Sequence, residues 1–223
     1  MLIEEAHWLG DQLQALDPGR VYPLLDVGSS TEKFRSLEQP WIDDAIFAPA
    51  RAAKRTVKHL DAKAAPGVDI VADLGDPATV ASLARQDFRS VLCSNLLEHV
   101  ADPQRIARTM LELVPAGGYL FVSCPYRYPF HPDPIDTRFR PTPQELAELF
   151  PGTRIVAQAV VRDGTYLDQI RGAPGRFVRL LARLLLPFYK PANWRRAWTQ
   201  LIHHVPWAFR RFEATCVVLV RAG

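Results

Sequence analysis

Three aspartates and one asparagine stand where apolar runs end in the first hundred residues. The runs are residues 21–25 before Asp26, "RTVKHL" before Asp61, "GVDIVA" before Asp73 and "FRSVLCS" before Asn95. One such residue is usually a cap or turn residue, but four in succession indicate strands whose carboxyl ends share one edge of a parallel sheet. Ligands of doubly wound sheets bind at that edge. We therefore expect a ligand site there.

The loop that follows Asp26, "VGSSTEKF", has one glycine where nucleotide-binding loops have several. After Gly28 the chain continues with Ser29, Ser30 and then Glu32. Glycine lets a backbone approach a ligand closely and tolerates positive φ, so this loop is a weakened version of such a site. A pyrophosphate needs the full glycine loop and would meet the negative charge of Glu32. A ligand with positive charge and no phosphate fits better, and a loop that binds nothing is the alternative.

A second candidate region is "CPYRYPFHPDPIDTRFRPTP", residues 124–143, which is rich in proline and aromatic residues. A rigid loop beyond the fifth strand would face the reacting group of a ligand held at this edge. Histidine is the usual proton acceptor near neutral pH, so His131 is the first candidate for a general base, with Asp136 as its orienting partner. The second candidate is His99, in "LLEHV" after the fourth strand. For both histidines, the alternative is a local structural contact.

The charged residues of this loop are expected to pair with one another. Arg138 and Arg140 would then bind the loop's own aspartates rather than clamp an acidic substrate. Those aspartates are Asp133 and Asp136. No spacing in the chain demands a metal, so no metal ligand is predicted; His131 with the same two aspartates is the set that such a site would use.

The elements that must hold these residues alternate between strand and helix. "DPQRIARTMLELVPAGG" is typical of a helix that starts at an Asp-Pro pair, "YLFVSCP" of a fifth strand, and "TPQELAELF" of a helix capped by Thr142. "TRIVAQAVV" and "ATCVVLVRA" are two late strands. The order predicts an α/β fold with a doubly wound, mostly parallel seven-stranded sheet and an α-helical insertion before the last strand. We expect a short amphipathic helix at the N-terminus and, because of Pro40 and Pro49, an irregular segment over residues 34–53.

Length and composition agree with one domain over residues 1–223. Hydrophobic residues make up 48% and charged residues 23% of the chain, which are ordinary globular values. Cys93, Cys124 and Cys216 lie in strand-like runs, so we expect buried thiols and a reducing compartment. The N-terminus carries acidic residues where a signal peptide carries positive charge, and no apolar run reaches the roughly 18 residues needed to span a membrane. These features predict a cytoplasmic protein.

The insertion before the last strand, residues 171–211, is basic and aromatic. Residues 162–211 hold ten lysines and arginines against two aspartates, so a local charge of +8 stands in a chain whose total is +3. Arginines opposite Trp, Phe and Leu are typical of an interfacial helix. The segment is interpreted as a lid over the site, a surface that contacts the inner face of a membrane, or a homodimer interface. Nucleic acid is not an expected partner, because no recognition module accompanies the charge.

Residues 21–150 resemble the class I S-adenosylmethionine-dependent methyltransferases, in particular their type 11 branch. The resemblance is carried by "LLDVGSS", "VKHLD", "DIVADL", "VLCSNLLEHVADP" and "LVPAGGYLFVSCP". The stretch "YPFHPDP" is similar to a loop of methyltransferases that are encoded near glycan and natural-product genes. The chain departs from the first motif at its second and third glycines, which are Ser30 and Glu32 here.

The resemblance implies S-adenosylmethionine as the cofactor and a set of residues that bind it. Asp61 would accept hydrogen bonds from the ribose hydroxyls, Asp73 from the adenine amino group, and the Leu74 backbone would reach a ring nitrogen. Residues 28–30 would lie against the amino-acid end of the cofactor, and Asp26 would orient that loop. The full predicted set is Asp26, Gly28, Ser29, Ser30, Asp61, Asp73, Leu74 and Asn95.

The resemblance also implies methyl transfer, for which the predicted catalytic residues are His131, His99 and Asp136. With a histidine as base, the expected acceptor is a hydroxyl of a sugar, a glycan or another small-molecule biosynthetic intermediate. Two alternatives remain. One is a catalytically silent domain of the same fold that binds a partner, which the weakened loop would indicate. The other is a methyltransferase that acts on a lipid-linked substrate at a membrane surface.

Overall fold

The computed structural model describes residues 1–131, 135–171 and 205–223, and its centre is a seven-stranded sheet. The strands are β1 (Leu24–Val27), β2 (Val57–Asp61), β3 (Ile70–Val71), β4 (Ser90–Ser94), β5 (Tyr119–Arg127), β6 (Thr153–Arg162) and β7 (Glu213–Arg221). Their order is β3-β2-β1-β4-β5-β7-β6; the first five pair in parallel, and β7 is antiparallel to both of its neighbours. The predicted fold class is confirmed.

Helices cover both faces of this sheet. They are α1 (Ile3–Ala15), α2 (Pro18–Val21), α3 (Pro40–Ile42), α4 (Ala48–Ala52), α5 (Pro77–Leu83), α6 (Pro103–Glu112), α7 (Pro143–Glu148) and α8 (Tyr166–Arg171), with π-helical turns at Phe34–Glu38 and Asp43–Phe47 and 3₁₀ turns at Leu97–His99 and Val205–Ala208. Successive side chains of a strand point to opposite faces. In β4, Val91 and Cys93 belong to a core with Met110 of α6, whereas Leu92 belongs to a second core with Leu9 of α1.

The first strand begins later than predicted. Residues 18–21 form α2 instead, because Asp17 caps this helix by accepting a hydrogen bond from Gly19 N at 3.0 Å, and Pro18 fills its first turn. Strand β1 therefore starts at Leu24. As a result, Asp26 lies inside the strand and is only 3% exposed, rather than standing at the strand's end.

The prediction that residues 34–53 are irregular is wrong. This segment is helical from Phe34–Glu38 to the end of α4. Pro40 stands in the first turn of α3, where a missing backbone N–H breaks no helical hydrogen bond, so it marks a helix start. Pro49 stands in the first turn of α4, directly after the π-helical turn Asp43–Phe47. The segment buries Ile46 and Phe47 in the core that it shares with α1.

The predicted helices α6 and α7 and strand β3 are present, although their first or last residues differ from those predicted. Helix α6 starts where Asp102 accepts from Arg105 N at 3.0 Å, and α7 starts at the capping box of Thr142 and Glu145. Strand β3 is only two residues long, so Asp73 lies beyond its end. Helix α5, which follows, was not predicted.

The basic insertion lies mostly outside the described residues, since 172–204 are not among them. The lid, membrane-surface and homodimer interpretations of residues 171–211 depend on that segment. Within the described ranges, no helix has the length and apolar character needed to cross a membrane. Cys93, Cys124 and Cys216 are buried and free, as predicted.

Candidate active site

A cavity of about 800 Å³ opens at the carboxyl ends of β1, β4 and β5. Helix α1 and residues 34–47 form one wall, and the end of β6 and the start of β7 form another. Two of the three predicted catalytic residues, His99 and His131, line it. The cavity therefore lies at the sheet edge where the sequence places a ligand site.

A buried arginine holds the loop after β1. The Arg35 guanidinium, 6% exposed, donates to the carbonyl oxygens of Ser29, Ser30 and Gly67, each at 2.8 Å. Hydrogen bonds from a charged donor are about twice as strong as neutral ones. Arg35 thus fixes a loop that its missing glycines were expected to weaken. The sequence analysis missed this residue, and no motif or spacing points to it.

Both residues that replace the missing glycines are accommodated. Ser30 adopts a left-handed conformation with φ 55°, which costs a non-glycine residue roughly 1 kcal/mol, and its N–H donates to Asp61 Oδ2 at 2.9 Å. The backbone at Glu32 packs against Gly67, where an added Cβ would lie 2.4 Å from the Cβ of Glu32. The loop after β1 can therefore pack closely against the segment before β3 because that segment has a glycine, Gly67, at the contact. The Glu32 side chain itself is exposed.

The predicted cofactor-binding residues fall into two groups. Four line the cavity, namely Asp26, Gly28, Ser29 and Asn95; four do not, namely Ser30, Asp61, Asp73 and Leu74. Leu74 is buried in the core beside α6, where its carbonyl accepts from Thr109 Oγ1 at 3.4 Å. The first group faces the cavity directly. Of the second, Ser30 lies in the loop after β1, Asp61 ends β2 and Asp73 follows β3.

Asp61 and Asp73 both accept backbone hydrogen bonds. Asp61 ends β2, and its two oxygens accept one bond each, from Ser30 N at 2.9 Å and Lys63 N at 3.0 Å. A carboxylate has about four acceptor positions, so Asp61 retains capacity for two more hydrogen bonds. Asp73 is exposed and accepts from Gly75 N at 2.7 Å in a turn.

Asp26 has a different partner from the one expected. Its Oδ2 lies 2.8 Å from Nδ1 of His59 on β2, the neighbouring strand, rather than bonding to the loop that it was expected to orient. The carboxyl group is nearly inaccessible, with a side-chain exposure of 4%. Asp26 is therefore held within the sheet while it contributes to the cavity wall.

Helix α1 inserts a carboxylate into the cavity wall. Glu5 is 1% exposed, and its Oε1 accepts from Asn95 Nδ2 at 2.7 Å and from Ser123 Oγ at 2.6 Å, while its Oε2 accepts from Leu2 N at 2.9 Å. In the sequence, Glu5 is one of the acidic N-terminal residues that argue against a signal peptide, and it was not predicted to belong to the site. Its position four residues before Leu9 places it on the buried face of α1, which is the signal that could have identified it.

Glu98 is the most unusual charged residue of the site. It is 0% exposed, and within the described residues neither of its carboxylate oxygens has a hydrogen-bond partner. Burial raises the pKa of Glu98 to about 8. Nε2 of His99 lies 3.7 Å from Glu98 Oε1, beyond hydrogen-bond distance. A buried carboxyl group without a partner costs free energy, so its presence needs an explanation.

The two candidate histidines lie together. Their rings meet edge to face with centroids 5.1 Å apart, and Nδ1 of His99 bonds the carbonyl oxygen of Ile135. Nδ1 of His131 lies 3.1 Å from the carbonyl oxygen of Pro129. Because a carbonyl only accepts, both Nδ1 atoms carry the proton and both Nε2 atoms are free to accept. Burial lowers the pKa of His131, which favours its neutral form.

Asp136 lies beside His131 and is itself anchored by arginine. Its oxygens accept from the guanidinium of Arg140 at 2.7 and 3.0 Å and from the backbone of His131 and Arg138. Its Oδ2 lies 3.3 Å from His131 Nδ1. Burial acts to raise the pKa of Asp136, but these hydrogen bonds outweigh it and lower the pKa to about 2. The pairing expected between Arg140 and Asp136 is thus observed, whereas Asp133 lies outside the described residues.

Comparison with other proteins gives structural neighbours. No family model and no curated protein matches the chain. A protein from Galdieria sulphuraria that is assigned as a sarcosine dimethylglycine methyltransferase matches at a TM-score of 0.52 and 10% identity, over 97% of this chain and 85% of that one. Coclaurine N-methyltransferase, solved with N-methylheliamine and SAH, matches at 0.52 and 13%, over 95% and 70%. The O-methyltransferase segment of StiE matches at 0.50 and 11%, over 94% and 71%. At these identities the likeness is one of fold.

Proposed function

Because this chain has the fold of the class I methyltransferases, we propose that it transfers a methyl group from S-adenosylmethionine to a hydroxyl of a sugar or another small molecule. One observation carries the proposal: the loop after β1 and the pair His99 and His131 face the same cavity. A cofactor held by that loop would therefore have a proton acceptor within the same enclosed space.

The charge of the cavity wall suits this cofactor. Among the described residues, six carboxylates line the cavity against one guanidinium, that of Arg35, and the amino terminus; the acidic residues are Glu5, Asp26, Glu38, Asp163, Asp168 and Glu213. S-adenosylmethionine carries a sulfonium and an ammonium group and no phosphate, so an acidic wall attracts it. Gly28 and Ser29 would hold its amino-acid end, and Asp61 has acceptor capacity for the ribose hydroxyls.

The bound cofactor would supply an activated methyl group, and residues of this chain would remove the proton of the acceptor. The hydroxyl would lose its proton to Nε2 of His131, because Nδ1 is already used as a donor. Asp136 stays ionised and stabilises the imidazolium that forms. His99 would take the same role for an acceptor that is bound nearer to β4.

An amine is a second candidate acceptor. The acidic wall would attract a protonated amine as well as the cofactor, and the same histidines would remove its proton before transfer. Carbonyl, thiol or phosphate acceptors have no comparable support. Among the described lining residues, the fixed cations are Arg35, which bonds the loop, and the amino group of Met1, which bonds Gln39.

An acceptor screen tests the proposal. The full chain would be incubated with S-adenosylmethionine and panels of hydroxyl and amine compounds, and formation of S-adenosylhomocysteine would be followed. We expect acceptor-dependent turnover that His131→Gln lowers by about 10²- to 10⁴-fold, with cofactor affinity unchanged. Turnover that is equally fast in His131→Gln would remove the general-base role. Absence of turnover, together with absence of cofactor binding, would favour a silent domain that binds a partner.

A further inference from the structure

Glu98, His99 and His131 form a compact cluster of three potential metal ligands. One ligand atom from each lies within 4.8 Å of the other two. All three residues belong to the described part of the chain. Glu98 and His99 belong to the 3₁₀ turn after β4, and His131 belongs to the loop after β5. No metal was predicted from the sequence because no spacing demands one, and the set considered there was His131 with Asp133 and Asp136 rather than this cluster.

The carboxylate of Glu98 is the strongest sign of a ligand. It is 0% exposed, both of its oxygens lack a hydrogen-bond partner within the described residues, and it faces Nε2 of His99 at 3.7 Å. Burying a carboxyl group without a partner is costly. A cation bound between Glu98 and the histidines would give its buried carboxylate a partner.

Both histidines are oriented as metal ligands usually are. Nδ1 of His99 bonds the carbonyl oxygen of Ile135, and Nδ1 of His131 lies against that of Pro129. Such contacts fix the tautomer and leave Nε2 as the ligand atom. The backbone of Thr137 donates to Glu98 O at 2.9 Å, so the loop after β5 is also tied directly to the turn that carries Glu98.

We propose that Glu98, His99 and His131 bind one divalent transition metal ion, and that zinc is the ion that this ligand set fits best. Two histidines and one glutamate are a known ligand set of catalytic zinc, which leaves a fourth position open. In tetrahedral zinc with bonds of about 2.0 to 2.1 Å, neighbouring ligand atoms are about 3.3 Å apart. Oε1 of Glu98 and Nε2 of His99, now 3.7 Å apart, would have to approach by about 0.4 Å, and a side-chain rotation would have to bring His131 to the same spacing from both.

The open position would face the cavity, because His99 and His131 line it. This part of the inference rests on the proposed function. There the ion would bind the acceptor oxygen and lower the pKa of its hydroxyl, so that the proton leaves to solvent. The oxygen would then form a bond to the methyl carbon as the bond between that carbon and the sulfonium sulfur breaks, and S-adenosylhomocysteine would leave. With the ion bound, Nε2 of His131 is a ligand and no longer the base.

Titration with metal alone tests the site. The full chain, stripped with a chelator, would be titrated with Zn²⁺ by calorimetry and with Co²⁺ by visible absorption, without cofactor or acceptor. We expect one ion per chain, an absorption band of four- or five-coordinate cobalt, and a loss of affinity of about tenfold or more in each of Glu98→Gln, His99→Gln and His131→Gln. His7→Gln is the matched control, because His7 has a side-chain exposure of 54% and lies outside the cluster.

Two results would overturn the site. One is the absence of saturable binding in wild-type protein. The other is metal binding that keeps its affinity in Glu98→Gln and His131→Gln. Such binding would locate the ion elsewhere, for example at His203 and His204, which are consecutive in the sequence. Circular dichroism of each variant would confirm that it folds, and the near-isosteric Glu98→Gln serves as the least disruptive variant.

The outcome for the metal is separable from the outcome for methyl transfer. Metal binding is measured without S-adenosylmethionine, and cofactor binding can be measured on chelator-treated protein. Zinc binding without cofactor binding would retain the metal site and remove the proposed function. Cofactor binding without zinc binding would remove the metal site and retain the proposed function, with His131 as the base.

Discussion

Arg35 shows how a single side chain can replace a sequence motif. The loop after β1 has one glycine of the usual three, and Arg35 compensates by bonding the carbonyls of Ser29, Ser30 and Gly67. The compensation is a contact between residues brought together by folding. A motif search that counts glycines underestimates the order of such a loop.

We predict that Arg35→Met destabilises the protein by about 2 to 4 kcal/mol, because it leaves three carbonyl oxygens without their donor in a buried place. Urea unfolding followed by circular dichroism measures the change. Arg35→Lys should recover only part of the loss, since an ammonium group cannot reproduce the planar set of donors. Arg85→Met is the control, because Arg85 is exposed and should change stability by no more than about 0.5 kcal/mol. Equal effects of the two methionine variants would contradict this role for Arg35.

At the scale of elements, helix α1 is both a cover and a wall of the cavity. A helix of 13 residues is marginal by itself in water, so its position depends on tertiary contacts. Glu5 supplies one of them by bonding Asn95 after β4 and Ser123 of β5. Through Glu5, the cover of the cavity is fixed to the sheet edge that is proposed to bind the cofactor.

Glu5→Ala should therefore lower the free energy of unfolding by about 1 to 3 kcal/mol, because Asn95 and Ser123 lose a buried acceptor. Hydrogen exchange of the α1 amides should become faster in the same variant. The neighbouring Glu4→Ala is the control: the Glu4 side chain is 57% exposed, and its removal should change stability by about 0.5 kcal/mol or less. If α1 amides exchange at the wild-type rate in Glu5→Ala, the helix is held by its apolar face alone.

Elements differed in how well the sequence predicted them. Helices α6 and α7 were found because Asp102, Thr142 and the prolines that follow them act within one turn. Residues 34–53 were misread because Pro40 and Pro49 were taken as breakers, whereas a proline in the first turn starts a helix. The start of β1 was misplaced because Val21 was assigned to the apolar run of the strand, whereas it ends α2, which Pro18 begins.

For the whole molecule, the sheet was predictable and the interior of the site was not. The strands and the fold class follow from periodicity and from the resemblance of local motifs, which are properties of short segments. The contacts of Glu5 and Glu98 join distant segments: Glu5 and Ser123, for example, are 118 positions apart. Histidine candidates could be named from residue type, but their meeting with Glu98 required the fold.

The packing of the sheet predicts the reactivity of the thiols. Cys93, Cys124 and Cys216 are each 0% exposed, and burial raises the pKa of every one. Since the thiolate is the reactive form, none should react with Ellman's reagent at pH 8 in the native protein, and all three should react after unfolding in guanidinium. A higher pH short of unfolding should not release them, because the raised pKa keeps the protonated form. Fast labelling of native protein would mean that the sheet opens locally.

The cavity at the sheet edge is proposed to bind S-adenosylmethionine, and calorimetric titration of the full chain with this cofactor measures that binding without an acceptor. We predict saturable one-site binding in the micromolar range. Asp61→Ala should weaken it by about tenfold or more, because hydrogen bonds to a charged acceptor are lost, whereas Asp44→Ala, at an exposed position, should leave it unchanged. No binding at millimolar cofactor, or equal binding by Asp61→Ala and wild-type protein, would contradict the account.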